Sequence, residues 1–360
     1  MNALGSPTDA PPVARLVTAD IEDTRWTELV ASSEDAGFFH GTTWAQILAD
    51  CYGYRPLALL FMSATGELLA GAPAVELRSM ALRKRWIALP FSDHCPPLFR
   101  DGRRPDIGAA LLAELRARRL DRIELRGEVP ASGAVATQPR GVRHVLPLTP
   151  GPTTLFADMS RMHRRGIKRA RAVGVRVLDT TAGRGLDHFV RLHVATRQRL
   201  GVPAQPRRFF ELLRERVLAR GGGFVLTAFI ADVPVASGVF LSSGRALLFK
   251  FGASDSRYWD SRANHLLAWT AITRACEAGF SAFDLGRSDY ESEGLRRYKE
   301  AFGATELPLV TSTISAGTAK PRIARVSGVA RVSGVGRAII KRSPTWVCKL
   351  AGELLYRYAA

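Results

Sequence analysis

Apolar positions along this chain follow two rhythms. Trp44, Ile47, Leu48 and Cys51 fall at i, i+3, i+4 and i+7, one face of a helix, with Thr42 or Thr43 able to cap it and Gly53 able to end it. Apolar runs at 57–62 and 68–77 flank Thr65 and Gly66 and predict a hairpin, and a third run, 86–91, stops at Ser92. Ile107, Leu111 and Leu115 give the next helix its apolar face. Strands follow at 122–126 and 142–148, the second leading into Pro147, Pro150, Gly151 and Pro152.

The same order then returns. A strand at 175–178 precedes helices at 186–200 and 207–219, the latter opened by Pro206 and closed by Gly221, Gly222 and Gly223. Strands at 224–231, 235–241 and 246–251 are joined by tight turns; a helix at 264–278, a strand at 282–285, a short helix at 293–302 and a strand at 307–313 complete the pattern. The hairpin with Leu69-Ala70-Gly71-Ala72 matches the one with Ala236-Ser237-Gly238-Val239, 167 residues later. Ile123-Glu124-Leu125-Arg126 matches Phe283-Asp284-Leu285-Gly286, 160 residues later. Nearly equal offsets predict tandem copies of one mixed α/β (α+β) fold, 14–150 and 151–315, between a disordered leader at 1–13 and a tail at 316–360.

At 360 residues the chain can bury two cores. With 46% hydrophobic and 23% charged residues it is neither disordered, collagenous nor a coiled coil. No uninterrupted apolar stretch reaches the ~18 residues of a membrane span, and no basic segment leads into an apolar run at the N-terminus, so a cytoplasmic protein is expected. Cys51, Cys95, Cys276 and Cys348 lack any CxxC or Cys/His ligand spacing, which predicts reduced thiols and no metal site. Charge is more telling: 51 basic against 33 acidic residues give +18, a surface that calls for an anionic partner. The excess is concentrated at 161–176, which holds seven cations and no acid, and at 310–360, with nine cations against Glu353.

Several stretches carry a family likeness. They are Arg164-Arg165-Gly166-Ile167-Lys168-Arg169-Ala170 followed by Gly174-Val175 and Val177, then Lys250-Phe251-Gly252-Ala253-Ser254-Asp255 and Leu266-Leu267-Ala268-Trp269. Phe283-Asp284-Leu285-Gly286, Gly294-Leu295, Tyr298-Lys299 and Phe302-Gly303 complete the set. Their order resembles that of GNAT-type acyltransferases, and two such domains in tandem, over residues 26–310, resemble the FemABX-like peptidyltransferases of bacterial cell-wall synthesis. The resemblance implies two tandem GNAT-like domains with mixed central sheets and no tightly bound cofactor. It also implies an acyl donor held between splayed central strands, with its phosphates at the following helix N-terminus, where Arg262 and Asn264 lie. Residues 256–264 contain no glycine, unlike the family's glycine-bearing pyrophosphate loop, a departure that weighs towards aminoacyl-tRNA or another carrier over acetyl-CoA. In the FemABX-like pattern the lysine of Tyr298-Lys299 is tied to catalysis, stabilising the oxyanion as an amine attacks the aminoacyl ester.

Other candidates come from the residues themselves. Only seven lysines stand against 44 arginines, so Lys250 and Lys299 read either as compact point charges at a site or as surface lysines with solvated heads. Asp284 and Arg287 follow the penultimate strand, where Arg287 could take a phosphate or carboxylate and Asp284 could orient it, or the two could form a plain salt bridge. The base for the amine is Asp289 or Glu293, and Tyr298 is either a proton relay or core. Asp93 and His94 stand on a loop where an acceptor could enter. Arg164, Arg165 and Arg169 offer contacts to a pyrophosphate or to a tRNA backbone, against the alternative of a solvated basic face.

The tail carries an identical repeat, Ala-Arg-Val-Ser-Gly-Val at 324–329 and 330–335. A last amphipathic helix has Trp346, Val347, Leu350, Leu354 and Tyr358 on one side, with Tyr356 also available at an interface. The function expected is acylation or aminoacylation of an amine on an anionic or lipid-linked cell-envelope precursor, a muropeptide or polysaccharide sugar. The donor is aminoacyl-tRNA or acyl-CoA, and residues 316–360 either hold the enzyme on the anionic inner leaflet, bind RNA as a disordered arm, or dock a helix on the second domain. Two other readings stay open: an acyl-CoA dependent N-acyltransferase, and a non-catalytic GNAT-fold protein that binds RNA or membrane.

Overall fold

The computed structural model describes residues 14–79, 83–130, 135–315 and 334–357. The leader, most of the hexapeptide repeat, Lys320, Arg322, Arg325, Arg331 and Tyr358 lie outside them. The first half runs β1 (Arg15–Ala19), α1 (Thr24–Ser32), α2 (Thr42–Tyr52), β2 (Arg55–Met62), β3 (Leu68–Arg78), β4 (Lys84–Ile87), β5 (Leu98–Phe99), α3 (Gly108–Ala117), β6 (Arg122–Leu125) and β7 (Val135–Pro147). After α4 (Gly151–Asp158) and α5 (Arg161–Ala172) come β8 (Val175–Asp179), α6 (Gly185–Leu200), α7 (Arg207–Arg216), β9 (Gly223–Ile230), β10 (Val233–Ser243) and β11 (Ala246–Ser254). Then follow α8 (Ala263–Glu277), β12 (Ala282–Ser288), α9 (Glu293–Glu300), β13 (Thr305–Ser315), α10 (Gly334–Arg342) and α11 (Thr345–Leu355).

Each half builds an antiparallel meander followed by one parallel pair, β4 with β6 and β11 with β12. The halves then exchange their last strands. β13 pairs with β6, β7 pairs with β12, and β7 and β13 pair with each other, giving one continuous mixed sheet in the order β1-β2-β3-β4-β6-β13-β7-β12-β11-β10-β9-β8. β7 starts seven residues earlier than its apolar run predicts, because it tolerates Pro139 and Gly141 where its register with β13 shifts between Leu309 and Val310.

Helices cover both faces. α8 packs its apolar side on β9 and β10 in a core that includes Ile272, Phe240 and Phe283. α6 and α7 lie on the opposite face, and their core is continuous with that of α2: Trp44 meets Phe209 edge to face at 5.5 Å. The parallel pair β11 and β12 is registered only from Ala246 with Ala282 to Leu248 with Asp284. Beyond those residues the strands part, and that opening defines the region where chemistry is expected.

Candidate active site

On β12, Phe283 and Leu285 alternate into the core and leave Asp284 on the other side. The register with β7 slips between Asp284 and Arg287, and Gly286 takes φ +72°, a left-handed conformation that suits glycine. The Gly286 N–H donates to Asp284 Oδ1 at 2.7 Å, which closes the bulge. This turns the carbonyls of Gly286 and Arg287 towards α9, where Lys299 Nζ donates to them at 2.8 and 2.9 Å. Lys299 is 6% exposed and the one buried residue of α9. Burial pushes its ammonium down to about 8 against the pull of Asp93 and Asp284. Two of its three donors are spent on the bulge.

Opposite the bulge lies the loop after β4. Phe91 has φ +62°, and Arg126 fixes the loop from beneath by donating from Nε to Ala88 O at 3.0 Å and from Nη1 to Ser92 O at 2.8 Å. Lys250 reaches across from β11, donates to Phe91 O at 2.6 Å and to Asp93 Oδ2 at 2.8 Å, and lies over the rings of Phe39, Trp44 and Phe251. Arg287 donates to Arg140 O at 2.8 Å and to Asp289, while its buried Nε has no acceptor.

Asp93, His94, Arg143 and Asp284 line one cavity of about 550 Å³ between the halves of the sheet. The half-buried carboxylates of Asp93 and Asp284 are displaced in opposite directions. Burial opposes the charge of Asp93, but Lys250, Arg140 and Arg287 outweigh it and hold the carboxyl below its ordinary value. Burial dominates at Asp284 and raises it, with Arg143 at 3.7 Å and Lys299 opposing. His94 is pushed down to about 4 by burial and by Arg143, so it is neutral at pH 7. His40 accepts from the Gly37 N–H at Nδ1 and donates from Nε2 to Pro96 O at 2.8 Å, which fixes its tautomer and the cavity wall.

The fold thus brings together Asp93, His94, Lys250, Asp284, Arg287, Asp289 and Lys299. Lys250, expected to contact substrate, has a side chain only 5% exposed and directs its charge at Asp93. A second group lies where α5, α8 and α9 meet. Tyr298 donates its hydroxyl to Asn264 O at 3.1 Å and is pushed upward by burial, and Asn264 donates to Ser254 Oγ at 3.3 Å. Arg262 caps α8 at φ +61° and is exposed, Arg169 donates to Asp260 O at 2.7 Å, and Arg164 donates to Ala157 O. Arg165 is exposed on α5, and Glu293 is exposed and paired with Arg297.

Arg126, Arg140, Arg143 and His40 were not among the candidates read from the sequence. With 44 arginines no single one stands out, and nothing local marks those that the strand exchange carries to β12. Among the described residues His144, Glu300 and Glu306 bring potential metal-ligand atoms within 4.8 Å of one another. Arg296 already holds both Glu306 oxygens, at 2.8 and 2.9 Å.

Residues 157–300 match the acetyltransferase (GNAT) domain family. No curated protein sequence matches the chain. Among solved structures it is similar to FemX, at 14% identity and a TM-score of 0.59, over 82% of this chain and 96% of that one. It is also similar to a tandem GNAT protein from the clavulanic acid biosynthesis pathway, at 11% identity and a TM-score of 0.53, over 84% of this chain and 99% of that one. A third is L-PGS from Bacillus licheniformis, at 11% identity and a TM-score of 0.51, over 90% of this chain and 97% of that one. At such identities the structures share the fold. Residues 157–300 therefore define a domain of the GNAT acyltransferase class. Over most of its length the chain shares the fold of FemX and of that tandem GNAT protein.

Proposed function

We propose that this protein transfers an acyl group from an activated carrier to a primary amine of a cell-envelope precursor. The observation that carries the reading is one cavity holding two half-buried carboxylates displaced in opposite directions, beside a buried ammonium with a donor to spare. Asp284, the raised carboxylate, serves as the base that takes a proton from the acceptor amine as its lone pair attacks the acyl carbonyl. Lys299 directs its remaining N–H at the oxyanion that forms, in a site where burial strengthens the interaction. When the tetrahedral adduct collapses, the bond to the carrier breaks and the proton leaves with the carrier's thiol or hydroxyl.

Asp93 stays ionised and fixes the loop through Lys250, while Arg287 and Asp289 hold the bulge that aims Lys299. Tyr298 and Asn264 set the start of α8 beside the parted strands, where the donor belongs, with Arg262, Arg164, Arg165 and Arg169 around that end as contacts for its phosphates. Glu293 is already paired with Arg297, so it is a weaker candidate for the base than Asp284. The match to an acetyltransferase domain favours acyl-CoA as donor; the missing glycine loop is what keeps aminoacyl-tRNA as the alternative.

The test is transfer of a labelled acyl group from acetyl-CoA, longer acyl-CoA or aminoacyl-tRNA to muropeptides and amino sugars. Lys299→Ala should lower kcat by about 100- to 1,000-fold with little change in acceptor KM. Asp284→Asn should lower kcat and remove its dependence on an acidic group. No transfer from any donor, or an unchanged kcat in Lys299→Ala, would refute the proposal, and tight RNA binding in place of transfer would favour a non-catalytic role.

A further inference from the structure

The last described segment has two apolar faces, and the fold uses one. On α11 the residues Cys348, Gly352 and Tyr356 form the inner stripe. Gly352 lies so close to Ala204 that a Cβ would fall 1.8 Å from its carbonyl oxygen. Tyr356 donates to Pro203 O at 2.9 Å, receives a hydrogen bond from Arg197 at 2.9 Å, and packs edge to face on Phe91. Tyr356, read from sequence as an interfacial residue, is fully buried and seals the core.

The outer stripe is Trp346, Leu350 and Leu354, again at i, i+4 and i+8, exposed by 63, 46 and 61%. Ile339 on α10 is exposed as well. Around them Arg337, Lys341, Arg342, Lys349 and Arg357 are all exposed, against one acid, Glu353. Beside α10 opens a cavity of about 640 Å³, to whose wall Arg191, Arg199, Arg257 and Lys341 contribute, with one acid, Asp255, that Arg257 already holds at 2.6 Å. Arg199 stacks over Trp259 at 4.4 Å, and its Nη1 is buried with no acceptor. A buried guanidinium donor without an acceptor, in a cavity where four cations stand against the single carboxylate of Asp255, fits an anion.

We propose that the outward face of α10 and α11 docks on an anionic lipid surface, with Trp346, Leu350 and Leu354 in the headgroup–acyl boundary and the neighbouring cationic cavity taking a headgroup phosphate. Charge complementarity selects this occupant. Five cations flank an apolar stripe too short to span a bilayer, the composition of a helix that lies in the interface plane. The surface is independent of the transfer chemistry: the stripe points away from the helix's docked side, and no described helix is long and apolar enough to cross a membrane.

The full-length protein is sedimented with vesicles of phosphatidylcholine alone and with vesicles containing phosphatidylglycerol, at low and high salt. Binding is expected only with phosphatidylglycerol and weaker at high salt. Replacing Trp346, Leu350 and Leu354 together by Ser should reduce partitioning by roughly a hundredfold or more, with circular dichroism and melting temperature unchanged. Arg199→Gln with Lys341→Gln should reduce it more modestly, and millimolar inorganic phosphate should not displace the parent protein. Equal binding by the triple-Ser variant, or indifference to phosphatidylglycerol, overturns the proposal. So does a concentration-dependent dimer that the triple-Ser variant abolishes, because the stripe would then belong to a second copy.

Discussion

Breaking the Lys250–Asp93 pair from its two ends should give unequal results. The pair is buried, at 5 and 21% side-chain exposure. Asp93→Asn preserves shape but leaves an ammonium enclosed by Phe39, Trp44 and Phe251 and repelled by Arg126 and Arg140. Stranding one partner of a buried pair costs about 3–5 kcal/mol. The ceiling is set by giving up the proton: for a lysine near pKa 10.4 at pH 7 that is about 3.4 pH units, or about 4.6 kcal/mol. Lys250→Met leaves Asp93 with Arg140 and Arg287, both of which hold its carboxyl down, and puts a flexible apolar chain among the rings, so about 1–2 kcal/mol is expected. The double variant should resemble Lys250→Met alone, which gives a coupling equal to the whole Asp93→Asn loss, about 3–5 kcal/mol.

The pH dependence supplies a second check on the same pair. In Asp93→Asn the folded amine is neutral while the unfolded one is charged up to about pH 10.4, so the unfolded chain binds more protons. Stability of that variant then rises by up to about 1.4 kcal/mol per pH unit above pH 7. The parent's ammonium is held by Asp93 and persists to higher pH, so the gap between them should narrow from pH 7 to pH 9. Urea unfolding of the four proteins at both pH values measures this. Equal losses from the two single variants, or a gap that does not change with pH, would show that Lys250 is not stranded as argued.

The folded Lys299 ammonium, lowered from 10.5 to about 8, is the majority form below that pH and is lost above it. Turnover should therefore fall on an alkaline limb near pH 8, and Lys299→Arg, slower throughout, should show no limb up to pH 10 in an initial-rate profile. Gly286→Ala places a Cβ 3.0 Å from Phe249 O at φ +72°, whereas Gly66→Ala at φ +85° meets open space. Both should lose about 1–2 kcal/mol in thermal unfolding, and only Gly286→Ala should also lose turnover, because it misdirects the carbonyls that hold Lys299. Gly352→Ala should lift α11 off Ala204 and speed tryptic cleavage at Lys349 and Arg357, visible by mass spectrometry within the time the parent stays intact.

Periodicity showed the order of elements because it reports which face each residue takes. It does not report the neighbouring strand. The spacing rules found β12, α9 and β13 within a few residues of their ends, yet nothing in them shows that β7 leaves its own half to lie between β12 and β13. That exchange is what carries Arg140 and Arg143 to the bulge at Gly286. The residues legible beforehand, Asp284, Arg287 and Lys299, share one short stretch, where a strand end, a turn and a helix are adjacent in sequence as well as in space. Lys250 and Asp93 were each singled out but not joined, because they are 157 residues apart and only the seam between the halves unites them.

Scarcity proved a better guide than charge. An arginine-rich surface makes each of the 44 arginines weak evidence, whereas two of the seven lysines are buried at the seam, each directed at backbone carbonyls. A point charge on a flexible stem can be enclosed in a small space and shifted in pKa as a guanidinium cannot. This is also why the two lysines divide the work. Lys250 reaches a carboxylate that stays ionised, and so holds the loop. Lys299 faces two neutral carbonyls and a carboxylate raised by burial, which leaves its charge less compensated and is what the proposed role at an oxyanion draws on.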